Sequence, residues 1–375
     1  MEFIIILVAA LCLVLGQEVL YQRKWHKNLT AALEFGQEIL TEGEKGSIKE
    51  IVRNEKFLPI PALHVKWKVS RNLRFDAREN TAMTDQTYRN DIFSLMPYQQ
   101  ITRTLTFTAL KRGCYEGNQI ELVSHDLFFS TSYSRQIPCR ARMYVYPAPV
   151  ETGRLNLIFD TLLGAYRARK RLYEDPFALR GMREYQASDP FNRINWKATA
   201  RAGEMMVNEY EYAASRNTVL LLNLEPDSIW PRQELQEESI RLCAALAERL
   251  SEDEIPGMVV DAGGLSDETS PEWKFSFGPA YIRRTMEYLC RLDPAAPQPR
   301  FESVLETWQD CMEENGYPFF VLISTNQSRE LQRAYEDLAR ISPGSLWIAP
   351  LYAEDSLELP DCPAAEPIRW NVEKG

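Results

Sequence analysis

Three oxygen-bearing side chains alternate at the end of an apolar run in the second half of the chain. The run TVLLLNL leads into a loop in which Asn223, Glu225 and Asp227 occupy every second position. Alternate residues of a strand point the same way, and hard oxygen ligands of this kind are those that Mg²⁺ prefers. The pattern indicates either a Mg²⁺-type site or an acidic strand-to-helix loop that caps the following helix.

A bound divalent ion also needs oxygen atoms from the neighbouring loops. The apolar run FFVLIS is followed by residues 325–327 (Thr-Asn-Gln), which include no carboxylate. The loop that follows the other neighbouring run, GMVVDAG, offers only Asp261 and Asp267. We therefore predict no bound metal and no cofactor, and we treat the three alternating positions as a degenerate metal site. A metal-dependent adhesion or ligand-binding protein is the alternative function class.

No set of side chains suited to catalysis stands out. The sequence contains no G-x-G-x-x-G, Walker A or G-x-S-x-G pattern. The three histidines, His26, His64 and His125, all lie in the first half, so nucleophilic catalysis with a histidine base is not expected in the second half. The chain is predicted not to be an enzyme.

Composition and charge limit the class of protein further. The 375 residues are 45% hydrophobic and 26% charged, which predicts two folded units rather than disorder. The formal net charge of −10 argues against nucleic-acid binding, which needs clustered Lys and Arg. Seven cysteines without C-x-x-C spacing indicate reduced thiols, and a Cys114–Cys139 disulfide is the alternative if that region is extracytoplasmic.

Residues 1–22 are predicted to form a membrane anchor. Residues 3–16 are uncharged, and the stretch continues through Gln17 and Glu18 to apolar residues 19–21. The uninterrupted run is marginal against the roughly 20 residues of a membrane span, so a signal-peptide core is the alternative. Glu2 and the absence of a small-x-small cleavage site favour a retained anchor over a signal peptide. The basic residues Arg23, Lys24 and Lys27 follow directly, which predicts a single-pass protein of the cell membrane with cytoplasmic soluble domains.

Residues 28–150 read as short strands with period-two alternation. Runs such as LHVKWKVS, TRTLTFTAL and QIELVSH predict an antiparallel β-sandwich. Residues 151–215 are predicted to be a connector, with a helix over 154–173, a polar, turn-rich stretch up to residue 196 and a strand over 205–212.

From residue 216 the pattern changes to alternating strands and helices. The predicted strands are TVLLLNL, GMVVDAG, FFVLIS and SLWIAP, and the predicted helices cover residues 233–250, 279–292, 301–314 and 329–340. This order implies βαβ units and a mostly parallel sheet, so residues 216–360 are predicted to form a Rossmann-type α/β domain. Residues 361–375 are predicted to be a tail.

The connector carries a dense pattern of charged and aromatic residues. Residues 183–201 read REYQASDPFNRINWKATAR. This segment resembles the signature R-x-Y-x-x-G-D-x-x-R-x-I-x-W-x-x-[ST]-A-R of bacterial membrane proteins grouped as domain of unknown function 58. The matching positions singled out are Arg183, Tyr185, Asp189, Arg193, Trp196, Thr199 and Arg201.

The resemblance implies an α/β domain similar to von Willebrand factor A modules, a membrane location and a protein partner of the MoxR-type AAA+ ATPase class. It also implies a role in the assembly or maturation of envelope or other complexes. Ser188 stands where this signature has a glycine. Residues 126–129 (Asp-Leu-Phe-Phe) resemble a second family landmark, D-x-F-G, in which Phe129 replaces the glycine. The adhesion-type metal motif D-x-S-x-S is replaced by the three alternating residues of the degenerate site, so that metal site is not carried over.

The signature also makes a local structural prediction. Asp189 and Pro190 are typical of a helix N-cap and its first residue, and from there Arg193, Trp196 and Lys197 would share one helix face. We expect the signature to be an architectural clasp between connector and sheet, with Trp196 contributing burial. A partner-docking surface on the same residues is the alternative, and catalysis is a third, weaker one.

Overall fold

The structure is a computed structural model of the full chain. It describes residues 2–76, 81–83, 86–170, 174–186, 189, 191, 194–212, 217–226, 232–262, 274–296, 299–310, 312, 317–342, 344–357 and 365–374. The chain divides into two compact units, Met1–Ala148 with Leu289–Arg291, and Pro149–Tyr288 with Leu292–Gly375. Each unit is described by itself below.

Unit 1 begins with the apolar helix α1 (Glu2–Lys24). Its 23 residues give a length of about 34 Å, against a hydrocarbon core of about 30 Å. Among the residues that the structure describes, α1 is the one helix that is both long and apolar enough to cross a membrane. Tyr21 in its last turns and Trp25 just beyond its end are buried in the core of the same unit.

Ten strands follow in unit 1, in two sheets that share one apolar core. The strands are β1 (Leu29–Phe35), β2 (Ile39–Thr41), β3 (Lys45–Asn54), β4 (Ile60–Ser70), β5 (Leu73–Phe75), β6 (Thr81–Met83), β7 (Gln86–Leu95), β8 (Gln100–Ala109), β9 (Gly113–His125) and β10 (Ser132–Tyr146). The sheet orders are β1-β3-β8-β5 and β2-β10-β9-β4-β7-β6, and all pairs except β2–β10 are antiparallel. The predicted sandwich of antiparallel strands is therefore present.

Charged side chains occupy part of the space between these two sheets. The Trp67 indole donates a hydrogen bond to Glu50 (2.6 Å), which links β4 in one sheet to β3 in the other. Asp91 on β7 accepts from Arg89 at 3.1 Å on the same strand and from Arg103 at 2.6 Å on β8. Glu50, Arg89 and Asp91 are almost fully buried, and buried charges are tolerated when they are paired in this way.

The protonation of Glu50 is predicted to make unit 1 sensitive to pH. Burial raises the pKa of Glu50 to about 7, and the nearby Asp91 charge acts in the same direction. The folded state thus holds this proton more tightly than the unfolded chain, so the contribution of Glu50 is largest at low pH and falls as pH rises through about 7. Relative to the wild type, Glu50→Gln should gain on the order of 2–3 kcal/mol in unfolding free energy between about pH 5 and pH 8.

Chemical denaturation across this pH range measures the effect. A variant of the exposed Glu34 on β1 serves as the control. The same pH dependence in Glu34→Gln would mean that the effect does not arise from Glu50.

Unit 2 contains a two-stranded hairpin and a five-stranded sheet. The hairpin strands are β11 (Glu174–Glu184) and β12 (Met206–Tyr212), preceded by α2 (Thr152–Lys170) and separated by α3 (Trp196–Ala202). The sheet strands are β13 (Thr218–Asn223), β14 (Gly257–Asp261), β15 (Phe319–Ser324), β16 (Ser345–Tyr352) and β17 (Ala365–Val372). The helices between them are α4 (Gln233–Glu252), α5 (Pro279–Arg291), α6 (Glu302–Asp310) and α7 (Arg329–Ile341).

All pairs in this sheet are parallel, in the order β14-β13-β15-β16-β17. Strands β13, β14 and β15 are buried at every position, as expected for strands covered on both faces. The four predicted strands and the alternation with helices are confirmed. The polar stretch after residue 174 was not predicted as a strand, but it forms β11 by pairing with β12.

Strand β17 corrects the prediction of a tail at residues 361–375. The sequence of this strand, AEPIRWNV, lacks the continuous apolar run of a central strand, so it was not predicted as one. Strand β17 lies at the edge of the sheet beside β16, where such a run is not required. Trp370 is buried and its indole donates to Glu238 on α4 (2.9 Å). Arg154 on α2 lies 4.0 Å above the Trp370 ring and donates to the backbone oxygen of Asn371 (2.8 Å).

Candidate functional site

The carboxyl ends of β13 and β15 meet where the strand order of the parallel sheet reverses. Ligands of such sheets bind in the crevice at this point. We call residues 223–225 and 324–326 the sheet rim. Asn223 and Ser324 are direct neighbours in the strand register of the rim, so the first part of the degenerate metal site is found where the sequence places it.

Hydrogen bonds within the rim occupy both ends of the Asn223 amide. Its nitrogen donates to the Ser324 hydroxyl (3.0 Å), and its oxygen accepts from the backbone nitrogen of Glu225 (2.8 Å). The Ser324 hydroxyl in turn donates to the backbone oxygen of Asn326 (3.1 Å). A cation at Asn223 would have to compete with the Glu225 amide for the same oxygen atom, so the geometry gives this residue a structural role.

Glu225 is turned toward a helix end. Its carboxylate accepts from the backbone nitrogen of Phe301 (3.2 Å), immediately before α6. Burial raises the pKa of Glu225, and the neighbouring Glu302 charge adds to the shift. The acidic loop thus caps a helix, as the alternative interpretation held, and the helix that its described part caps is α6. The N-cap of α4, Arg232, makes no side-chain capping bond, and residues 227–231 before it lie outside the described residues.

Two positions of the predicted ion site cannot be placed. Asp227 and Asp267 lie outside the residues that the structure describes. Within the described ranges, no three His, Cys, Asp or Glu side chains converge in a way that could hold a metal ion. Asp261 instead accepts a hydrogen bond from the Tyr288 hydroxyl.

The rim hydrogen bonds predict a stability loss for Asn223→Ala. The substitution leaves the buried Ser324 hydroxyl and the Glu225 amide each without one partner, at a cost of about 2 kcal/mol or more in unfolding free energy. Thermal or denaturant unfolding measures this loss. Gln233→Ala, in an exposed amide at the start of α4, is the matched control and should change stability by less than about 0.5 kcal/mol. An equally small effect for Asn223→Ala would contradict the structural role.

The family signature folds into a small, separate arrangement, residues 174–212, which we call the signature hairpin. Strands β11 and β12 pair antiparallel, and the bond from Tyr185 nitrogen to Met205 oxygen (2.8 Å) extends their ladder. Ile194 forms an isolated bridge with Val207, and both side chains are buried. These contacts hold α3 against β12.

Arg183 and Asp189 form the central ion pair of the signature hairpin. Two nitrogens of the Arg183 guanidinium each contact a different oxygen of Asp189, both at 2.7 Å. The Asp189 carboxylate also accepts from the backbone nitrogen of Gln186 (2.8 Å). Such bidentate pairs fix geometry as well as adding energy. The pair closes the turn that follows β11.

The predicted continuous helix from Asp189 through Trp196 does not form, because Ile194 pairs with Val207 as an isolated bridge and Asn195 has an extended backbone. The Arg183 guanidinium and the Gln186 amide engage the carboxylate that would have served as the N-cap. Helix α3 begins at Trp196, and the Asn195 side chain is its N-cap, accepting from the Ala198 nitrogen (3.0 Å).

Three further signature positions differ in what they do. The Thr199 hydroxyl accepts from the backbone nitrogen of Met206 (3.0 Å) and thereby ties α3 to β12. Arg201 lies in the last turn of α3 with an exposed side chain. Arg193 lies outside the described residues, so its predicted place on a shared helix face is not addressed.

Trp196 corrects the expectation of a buried clasp residue. Its side chain is 68% exposed, and α3 contains no buried residue. As the first residue of the helix after its N-cap, Trp196 lies outside the apolar contact between Ile194 and Val207. The pairing contacts of the hairpin are made by other residues.

Further exposed apolar side chains lie on the signature hairpin, and sequence reasoning did not single them out. They are Met182, Phe191 and Met205. The Phe191 ring lies 5.8 Å from the Tyr185 ring, and the Met182 sulfur lies 3.5 Å from the side-chain nitrogen of the N-cap Asn195. An aromatic residue inside the polar turn sequence SDPFN was the available signal for Phe191.

The ion pair predicts that Asp189→Ala destabilises the signature hairpin. Arg183 and the Gln186 amide lose their shared acceptor, which should cost about 1–3 kcal/mol. Thermal unfolding of unit 2 measures the loss, and Glu184→Ala, at the exposed neighbouring strand position, is the control. Equal melting of the two variants would show that the pair does not stabilise the hairpin.

The chain thus combines an apolar N-terminal helix, a two-sheet β unit and a parallel α/β unit that carries the signature hairpin. The family model described as Protein of unknown function DUF58 matches residues 181–361. The matched segment, which runs from the signature hairpin into the parallel sheet, confirms the family resemblance predicted from the sequence.

Several solved structures show a local likeness to this chain, including a CARDB domain and a cohesin. A CARDB domain from Pyrococcus furiosus, in complex with di-metal ions, is 16% identical, covers 30% of this chain and 90% of that chain, and has a TM-score of 0.19. A non-cellulosomal cohesin from Archaeoglobus fulgidus is 8% identical, covers 33% and 96%, and has a TM-score of 0.21. Scores this low carry no argument about the present chain. No curated protein matches it.

Proposed function

We propose that this protein is a membrane-tethered, non-catalytic interaction protein that docks a protein partner through the signature hairpin. The observation that carries the proposal is the exposure of Trp196 on an element that is otherwise fixed by an N-cap, an ion pair and a strand ladder. Tryptophan, methionine and arginine are enriched in protein interfaces, and tryptophan is frequent among the residues that dominate binding.

The charges around Trp196 define the kind of partner. Lys197 and Arg201 are exposed on α3 beside the tryptophan. A complementary surface would offer an apolar pocket for the indole ring with acidic residues at its rim. Because the hairpin is already ordered, binding would require little further loss of conformational freedom.

The family resemblance supplies the partner class. A MoxR-type AAA+ ATPase is the protein that we propose to bind here, in a process of assembly or maturation of envelope or other complexes. The parallel α/β unit would act as a scaffold in the manner of a von Willebrand factor A-like module. A non-catalytic role is supported by the rim, where the Asn223 amide is held by internal hydrogen bonds.

Helix α1 would act as the single-pass anchor of this protein in the cell membrane. Its length and apolar sequence support this role. The basic residues Arg23, Lys24 and Lys27 at its end support a cytoplasmic location of both units, since cytoplasmic flanks of membrane spans are enriched in Lys and Arg.

Trp196→Ala should weaken binding of the ATPase without lowering stability. We expect the dissociation constant to rise roughly 30-fold, as for an interface residue worth about 2 kcal/mol, and the unfolding free energy to change by less than about 0.5 kcal/mol. Surface-immobilised full-length protein in nanodiscs, titrated with the purified MoxR-type ATPase of the same cell, measures the affinity. Thermal unfolding measures the stability.

Leu157→Ala is the matched control, because Leu157 on α2 is similarly exposed (71%) in the same unit. Binding that is unchanged in Trp196→Ala, or weakened equally in both variants, would contradict docking at the signature hairpin. A large loss of stability in Trp196→Ala would restore the clasp interpretation.

A further inference from the structure

Three consecutive exposed apolar side chains lie at the tip of the hairpin formed by β9 and β10 in unit 1. They are Leu127, Phe128 and Phe129, and Phe128 is the most exposed at 62%. We call residues 126–131 the tip loop. Contiguous exposed apolar residues of this size commonly mark a surface that contacts a partner or a membrane.

Hydrogen bonds join the tip loop to helix α1 at Gln17 and Glu18. The Gln17 side chain donates to Asp126 (2.9 Å) and accepts from the backbone nitrogen of Leu127 (3.3 Å). The Thr131 hydroxyl donates to Glu18 (3.1 Å) on the same turn of the helix. The tip loop therefore lies beside the first polar residues that follow the apolar run of α1.

Asp126 makes this junction rigid. It is fully buried and also accepts from the backbone nitrogen of Ser130 (2.7 Å), which closes the loop on itself. Desolvation favours the neutral acid, but hydrogen bonds from Ser130 and Gln17 outweigh it and lower the pKa of Asp126 to about 2. The loop is thus held by a charged acceptor whose partners come from both the helix and the hairpin.

Phe129 indicates that an aromatic ring matters at this tip. Its φ of 58° is in the left-handed region, where glycine is favoured over a bulky residue. The ring stacks on His125 at 5.5 Å between centroids, which helps to hold this conformation. The backbone accepts a glycine here more easily than the phenylalanine that occupies the position.

The length of the apolar run places the tip loop near the edge of the hydrocarbon. Residues 3–16 of α1 extend over only about 20 Å, and the hydrocarbon core is about 30 Å thick. A short span draws the bilayer surface toward its polar end. The edge of the hydrocarbon therefore falls at or beyond Gln17, which is the level of Leu127 and its neighbours.

We propose that the tip loop inserts Leu127, Phe128 and Phe129 into the interfacial region of the same bilayer, as a second membrane contact beside α1. This inference rests on the proposed anchoring by α1. Phe and Leu side chains are typical of apolar surfaces that bury at the boundary between headgroups and acyl chains. Two membrane contacts would fix the orientation of the β unit relative to the bilayer.

The charges nearby fit anionic lipid headgroups. Partial desolvation lowers the pKa of His26, and the positive charges of Arg135, Lys27 and Lys56 lower it further. Arg135 also donates to the backbone oxygen of His26 (3.3 Å), next to the end of α1. Positive charges thus lie around His26 near the end of α1, where they would attract anionic headgroups, whereas the tip loop itself is held by the negatively charged Asp126.

Photo-crosslinking in a membrane tests this proposal. The full-length chain carries p-benzoylphenylalanine in place of Phe128 and is reconstituted in vesicles of phosphatidylcholine with a minority of phosphatidylglycerol. The control carries it in place of Leu110, an exposed residue before the start of β9, roughly 40 Å from the tip along that strand. Flotation of the vesicles measures anchoring, and mass spectrometry measures lipid adducts.

We expect both proteins to float and the adduct yield at position 128 to exceed that at position 110 by several-fold. Flotation without lipid adducts at position 128, or equal yields at both positions, would overturn the tip-loop contact and leave the anchor intact. A chain that does not float would overturn the anchor itself, and the tip-loop contact with it. Near-ultraviolet circular dichroism of each protein checks that the substituted chain is folded.

Discussion

A polar group that is removed from water is costly unless it finds a hydrogen-bond partner, and this constraint fixes the loops of this chain. Asn223 forms hydrogen bonds with the Ser324 hydroxyl and with the Glu225 backbone, and these bonds fix the shape of the rim of the parallel sheet. Asp189 has the same relation to Arg183 in the signature hairpin. Each loop is ordered by one buried or half-buried acceptor rather than by apolar packing.

The same constraint separates the two regions that carried functional expectations. At the sheet rim, hydrogen bonding engages the side-chain oxygen of Asn223 and one carboxylate oxygen of Glu225. In the signature hairpin, the ion pair and the Asn195 cap take over the task of holding the fold together. Apolar residues there, Trp196 among them, lie on the surface.

Period and length of the apolar runs were sufficient to predict the parallel sheet. Runs such as FFVLIS are buried on both faces, so their order along the chain gives the strands and the helices between them. Several strands were missed, β11 among them, and for two others the physical reason is clear. Strand β7 turns Thr87, Arg89 and Asp91 toward the core, which reverses the usual alternation, and β17 needs little apolar surface because it lies at an edge.

The signature could be found from its spacing, but not the environment of its side chains. An Asp-Pro pair is typical of a helix start, and only the position of Arg183 across the turn shows that another interaction engages the carboxylate. The exposure of Trp196 also could not be predicted from the local sequence, because it depends on which residues pair across the hairpin. Ile194 and Val207 make the buried contact there, and Trp196 takes no part in it. The local sequence pattern located the signature, but contacts between residues distant in sequence determine which of its side chains are buried and which are exposed.

The edge strand β17 has a consequence for how this protein can associate. Open edges of sheets are templates on which further strands add and aggregates grow. Pro367 removes one backbone donor from β17, and Arg154 of α2 engages a backbone oxygen near its end. Growth of the sheet from one copy into the next is thereby disfavoured at this edge, and association is left to side-chain surfaces, where individual substitutions can tune specificity.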